Sequence, residues 1–216
     1  MKYIFKTLMT IALAAVLSAC SENDATKDYG FAKVYIPQAT VTGLDNSYPI
    51  PLGPFYQNTS YSCRYDRPSG ILNVALGVIR SGYFKEQKAF SVDLGVSAAE
   101  TTRKLSEYSD KGTPAVQLPQ DLCTIPGKIS VPEGSADGTC YIGIDIKKLA
   151  LQQAALYTGT EYKLLVLGLE ISNPTEYELS DNYTSVVLVL DLNSQYWDDV
   201  AEDKPESDIR SLFPIY

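Results

Sequence analysis

Histidine occurs nowhere in the chain. That absence excludes Ser-His-Asp and Cys-His nucleophilic sites, which need an imidazole base. It also excludes zinc sites built on imidazole. Cysteine is scarce, with four residues in 216: Cys20, Cys63, Cys123 and Cys140. Basic residues are the minority, 18 Lys and Arg against 26 Asp and Glu, for a formal net charge of −8. No basic run is present, so no nucleic-acid partner is expected, because phosphate contacts need a basic patch. There is no Gly-rich phosphate loop of the Walker or Rossmann kind. No apolar run reaches the ~20 residues that span a hydrocarbon core.

What is present begins at the N-terminus. Lys2 and Lys6 form a short positive region, and Leu8 to Leu17 is apolar except for Thr10. Leu17-Ser18-Ala19-Cys20 follows. Charge, apolar core and small residues are the parts of a cleavable secretory signal. The Leu-Ser-Ala-Cys string resembles the bacterial lipobox. That resemblance implies a diacylglycerol on the Cys20 thiol, cleavage just before it, and acylation of the new N-terminus. Several acyl chains make a durable anchor where one is marginal. The membrane is therefore an expected partner, held through Cys20. Ser21-Glu22-Asn23-Asp24 resembles the acidic segment after the cysteine in surface-exported lipoproteins of the Bacteroidetes. The expected location is the outer membrane, facing outward.

With Cys20 lipidated, three cysteines remain, so one internal disulfide at most can form. Export favours oxidation, while Cys140 on an apolar strand face suits a buried thiol. Hydrophobic content of 45% allows a real core, and the length after cleavage suits one domain. Tyrosine dominates the aromatics, with 16 Tyr against 6 Phe and 1 Trp. Tyrosine is a common strand residue and also offers an apolar face with a polar tip.

Residues 1–19 read as the signal, 20–30 as an acylated polar tether, 31–192 as the folded domain and 193–216 as an acidic tail. Val34-Tyr35-Ile36 predicts a first strand. Residues 43–69, with Pro49, Pro51, Pro54 and Pro68, predict a long irregular stretch. Leu72, Val74, Leu76 and Val78 alternate, as do Phe90, Val92, Leu94 and Val96. Ser97 with Glu100 matches a capping box and Glu100 with Lys104 an i,i+4 pair, predicting a short helix to Tyr108 that connects two sheets. Lys128 to Val131 is a strand. Cys140, Ile142, Ile144 and Ile146 face one way, and Tyr141, Gly143 and Asp145 the other. Lys147 to Tyr157 predicts a second helix. Lys163 to Leu169 and Val186 to Leu190 are apolar on both faces, so they should be central strands covered on both sides. The expected fold is mainly all-β: an immunoglobulin-like Greek-key β-sandwich with one or two short connecting helices.

Several strings suggest a family: Arg80-Ser81-Gly82, Phe90-Ser91-Val92-Asp93-Leu94, Leu118-Pro119 and Ile129-Ser130-Val131-Pro132-Glu133-Gly134. With the later Tyr162 to Ile171 and Val186 to Leu190, they resemble a β-sandwich domain of unknown function in Bacteroidetes surface lipoproteins. The same domain stands at the N-terminus of some endoglycosidases of glycoside hydrolase family eighteen. Tyr162-Lys163-Leu164-Leu165 departs from the tyrosine and Leu-Pro that relatives often show. The resemblance implies the cell surface and a setting near polysaccharide-degrading machinery. It implies no defined activity.

Catalytic candidates are weak. Asp93, Asp145 and Glu170 sit on strands with no visible pairing, where a glycosidase needs two carboxylates across one bond. The chain is too short for the ~250-residue (β/α)₈ barrel of a family-eighteen hydrolase. No enzyme activity, cofactor or metal is expected; Asp198, Asp199, Glu202 and Asp203 lack calcium-loop spacing. The candidate ligand residues are Tyr56, Tyr61 and Tyr65, beside Arg64 and Asp66, as a glycan platform. The expected function is a non-catalytic surface lipoprotein accessory to glycan binding or polysaccharide use. The alternative is a structural or assembly lipoprotein that contacts neighbouring surface proteins. The apolar end Leu212-Phe213-Pro214-Ile215-Tyr216 would either fold back on the domain, the favoured reading, or dock on a partner.

Overall fold

Leu72, Val74, Leu76 and Val78 are all fully buried, and their ten-residue strand is the spine of the first of two sheets. A computed structural model describes residues 31–43, 45–52, 63–82, 84, 86–200, 209 and 211–213, with backbone alone at 198–200. The expected signal, Cys20, Tyr56 and Tyr61 lie outside the described residues. The first sheet holds β1 (Lys33–Tyr35), β3 (Cys63–Asp66), β4 (Ile71–Arg80), β7 (Cys123–Thr124), β9 (Asp137–Asp145) and β11 (Glu178–Leu179). The second holds β2 (Ser47–Ile50), β5 (Phe90–Val96), β6 (Ala115–Gln117), β8 (Lys128–Val131), β10 (Leu164–Ser172) and β12 (Ser185–Leu190).

The first sheet runs β11-β1-β4-β9-β7, and β3 pairs with β4 beside β1. The second runs β2-β12-β10-β5-β8, and β6 pairs with β10 beside β5. Strand neighbours are mostly not chain neighbours, so the chain crosses repeatedly between sheets. The expected sandwich is therefore the architecture seen. Three pairings are parallel, β1 with β11, β6 with β10 and β2 with β12. The inward faces of both sheets share one core, including Leu72, Leu76, Ile142, Ile144, Leu165, Leu167, Leu188 and Leu190.

Residues 43–69 are not wholly irregular, because they contain β2 and β3. Pro49 lies within β2, and β2 is an edge strand, where a missing N–H is tolerated. Tyr48 from this strand and Tyr65 from β3 both enter the core.

The helix α1 (Ala98–Asp110) forms where the period changes. It does not connect the sheets. It leaves β5 and leads to β6, both in the second sheet, and covers that sheet's outer face. Leu105 and Tyr108 pack there against Val166, Val187 and Val189. This explains why β10 and β12 are apolar on both faces. The capping box is not made, since Ser97 has no side-chain cap bond. The main-chain groups of Ser97 are used instead: its N–H donates to Gly168 O at 2.9 Å. Its carbonyl accepts from Thr101 Oγ1 at 2.9 Å, and Thr101 Oγ1 accepts from the Gly168 N–H at 2.8 Å. Nor does Glu100 pair with Lys104. Glu100 takes Arg103 at 2.8 Å, while Lys104 turns to Asp45 and Glu107.

The second predicted helix breaks into α2 (Ile146–Ala150) and α3 (Gln153–Leu156) at Leu151 and Gln152. From the tail, Trp197, Ile209 and Phe213 are buried in the common core. The Phe213 ring meets Tyr162 edge-on at 5.5 Å, so the described part of the tail folds back on the domain.

Candidate functional site

Strand alternation in β3 separates the residues of the expected platform. Cys63 and Tyr65 face the core, and Arg64 and Asp66 face outward. Tyr65 is only 5% exposed, so its ring is core and not available to a ligand. Arg64 and Asp66 are exposed, opposite Asn73 and Ile71 of β4.

Those two residues belong to a larger surface. The outward positions of β4 are Ile71, Asn73, Ala75, Gly77 and Ile79, and those of β9 are Asp137, Thr139, Tyr141, Gly143 and Asp145. The register sets Asn73 opposite Gly143 and Ala75 opposite Tyr141. Arg64 extends the first row on one side and Thr124 on the other. The four residues Arg64, Asn73, Gly143 and Thr124 thus form one line across four strands.

Tyr141 stands beside that line and is 59% exposed. Its neighbours are small. Ala75 is directly opposite and Gly143 and Gly77 are close by in the lattice, with directly opposed side chains about 5 Å apart in such a pair. A large exposed ring over small residues leaves its face free. α1 packs on the other sheet, while Gln38 borders this face at Gly77, accepting from the Gly77 N–H at 3.1 Å. The site therefore offers an aromatic surface bordered by a guanidinium, an amide and a hydroxyl. Stacking on an apolar ring face and hydrogen bonding to hydroxyl groups are within its chemistry.

The carboxylate candidates do not converge. Asp93 is on the second sheet, accepting from Asn173 at 3.0 Å and facing Lys128 at 3.6 Å. Asp145 is on the first, where it caps α2 by accepting the Lys148 N–H at 2.9 Å. That bond, with burial opposing and Lys148 assisting, holds its carboxyl below the ordinary value. Glu170 is exposed on β10. Cys123 and Cys140 are free thiols, and Cys63 is buried. Burial pushes both Cys123 and Cys140 up to about 11, with Asp121 adding to the effect at Cys123. Of the acidic tail cluster, Asp198 and Asp199 have side chains outside the described set, as do Glu202 and Asp203 altogether. Among the described residues no group of three or more acidic or cysteine residues could hold a metal ion.

Sequence reading placed Tyr141 outward but had no means of singling it out. Alternation gives parity, while which sheet face stays bare depends on where α1 lands.

No protein-family model matches the sequence, and no curated protein matches it. Solved structures from Bacteroides do resemble the fold. A protein of unknown function from Bacteroides ovatus shares 17% identity at a TM-score of 0.52, over 73% of this chain and 46% of that one. An auxiliary nutrient binding protein from Bacteroides thetaiotaomicron shares 15% identity at 0.44, over 69% and 45%. EndoBT-3987 with Man5GlcNAc product shares 15% at 0.37, over 55% and 26%. The last two likenesses are too loose to carry an argument. The chain spans about half the length, or less, of the solved chains it matches. The first comparison shows the fold alone: a β-sandwich also found in Bacteroides.

Proposed function

We propose that the chain is a lipid-anchored, outward-facing protein of the outer membrane. In this reading it binds glycan on the open face of its first sheet and performs no catalysis. Tyr141 carries the reading. It is a large exposed aromatic on the outer face of the first sheet, set among small residues and bordered by Arg64, Asn73 and Thr124. A sugar ring needs such a combination: an apolar face to lie on and polar groups at its rim. The lipobox-like string ending at Cys20 supports the anchor, and Glu22 and Asp24 support the outward orientation.

The test is direct. The mature lipoprotein, in detergent, is passed over a panel of host and plant polysaccharides. Retention by at least one supports the reading, and retention by none overturns it. Separately, Cys20→Ser should abolish incorporation of labelled palmitate and release the protein from membranes. Unchanged labelling would overturn the anchor.

A further inference from the structure

Arg80 stands where the alternation of β4 calls for another apolar residue. It follows Leu72, Val74, Leu76 and Val78 on the face turned to the second sheet. Its side chain is buried, at 2% exposure. Nε and Nη1 have no hydrogen-bond partner among the described residues. What meets the guanidinium is aromatic: Phe84, with its centroid 4.8 Å from the guanidinium carbon, and Tyr177, at 5.2 Å.

Tyr177 is firmly held. Its ring stands edge-on to Phe90 at 5.4 Å, and its hydroxyl accepts from the Lys88 N–H at 3.0 Å. Its backbone sits at φ 66°, a left-handed conformation that a bulky residue keeps only when its surroundings enforce it. The rings thus attract the cation but supply no counter-charge. Ring attraction is weaker than the desolvation of a buried guanidinium. The donors of a guanidinium lie in its plane, and a carboxylate or sulfate matches them in that plane.

We propose that Arg80 anchors a binding site for an oxyanion, a carboxylate or sulfate group, at this end of the sandwich. Phe84 and Tyr177 contact the guanidinium through their rings, and its unpaired N–H groups receive the anion. Arg80 marks the end of β4, and the residues described between it and β5 form no strand or helix, which puts the site at the end of the sandwich. The bearer is either an acidic sugar, such as a uronic acid, or a free small anion. The proposal does not rest on the Tyr141 face, which uses the opposite parity of the same sheet.

Calorimetric titration of the mature protein with glucuronate, acetate and sulfate, at fixed ionic strength and with glucose as neutral control, tests it. Saturable binding of at least one anion is expected. Arg80→Met should weaken it about tenfold or more, and Arg80→Lys less. Glucuronate alone binding identifies an acidic sugar, while binding of sulfate or acetate identifies the free anion. No saturable binding, or equal affinity in Arg80→Met, overturns the site. Should Arg80→Met fail to fold, the Nε–H resonance of Arg80 in the wild type decides. It must shift on titration, and an unmoved resonance overturns the proposal.

Discussion

Lys104 and Asp45 meet at 3.0 Å, with the lysine 1% exposed and the aspartate at the surface end of the pair. Lys104 also reaches Glu107 at 3.1 Å and lies over the Tyr108 ring at 5.1 Å. Asp45 accepts from Thr42 Oγ1 and from the Ser47 N–H and hydroxyl as well. Burial works against its carboxylate, but Thr42, Ser47 and Lys104 together outweigh burial and hold the carboxyl well below its ordinary 3.8. The pair ties the loop before β2 to the middle of α1.

That contact makes stability depend on acid. The folded-state pKa of Asp45 is depressed, so its contribution is complete above the ordinary carboxylate value. It is lost as pH falls through the folded one. Asp45→Asn should destabilise the protein by roughly 1–2 kcal/mol at neutral pH, a figure kept low because Asp45 is half exposed. It should also flatten the loss of stability below about pH 4. Urea titrations of wild type and variant between pH 2 and 7 would show this. Parallel acid limbs would contradict it.

The approach of α1 to β10 depends on Gly168. A Cβ there would lie 2.6 Å from Ser97 O and 2.8 Å from Thr101 N, both main-chain atoms that cannot swing aside. Gly168→Ala should cost about 2–3 kcal/mol through displacement of the helix. Thr101→Val keeps the shape but removes the acceptor of the Gly168 N–H, and should cost about 1–2 kcal/mol. Denaturant midpoints measure both, and a neutral Gly168→Ala would mean the helix is not seated as described.

Phe213 is buried against Tyr162, which ties the far end of the tail to the start of β10. Phe213→Ala should lower stability by about 3 kcal/mol or more. If the tail served only to dock on a partner, thermal unfolding of the variant would match wild type.

Raised thiol pKa values leave Cys123 and Cys140 mostly protonated at neutral pH, and Cys63 is buried. Ellman's reagent should react slowly with Cys123 and Cys140 in the native protein and rapidly once it is denatured. A mass two hydrogens light without reductant would reveal a disulfide and contradict the free-thiol arrangement.

Much of the sandwich was legible because its signals are local. The alternation at Leu72 to Val78, the doubled apolar character of Val186 to Leu190 and the change of period at Ser97 each follow from adjacent residues. What was hidden is non-local. β2 carries Pro49 and is stabilised by β12, far along the chain. Asp45 and Lys104 are 59 positions apart, so an i,i+4 rule could only offer Glu100. Tyr65 looked like Tyr56 and Tyr61 until β3 fixed its parity toward the core. Tyr141 gained its standing only once α1 was seen to cover the other sheet.

The central claim is that the Tyr141 face is where glycan binds. Its most direct measurement is the affinity of the mature protein for the best-retained polysaccharide, with Tyr141→Ala beside Tyr56→Ala and Tyr61→Ala. Loss of about tenfold or more with Tyr141→Ala alone, at unchanged thermal stability, is the predicted result. Undiminished affinity in Tyr141→Ala would contradict the account.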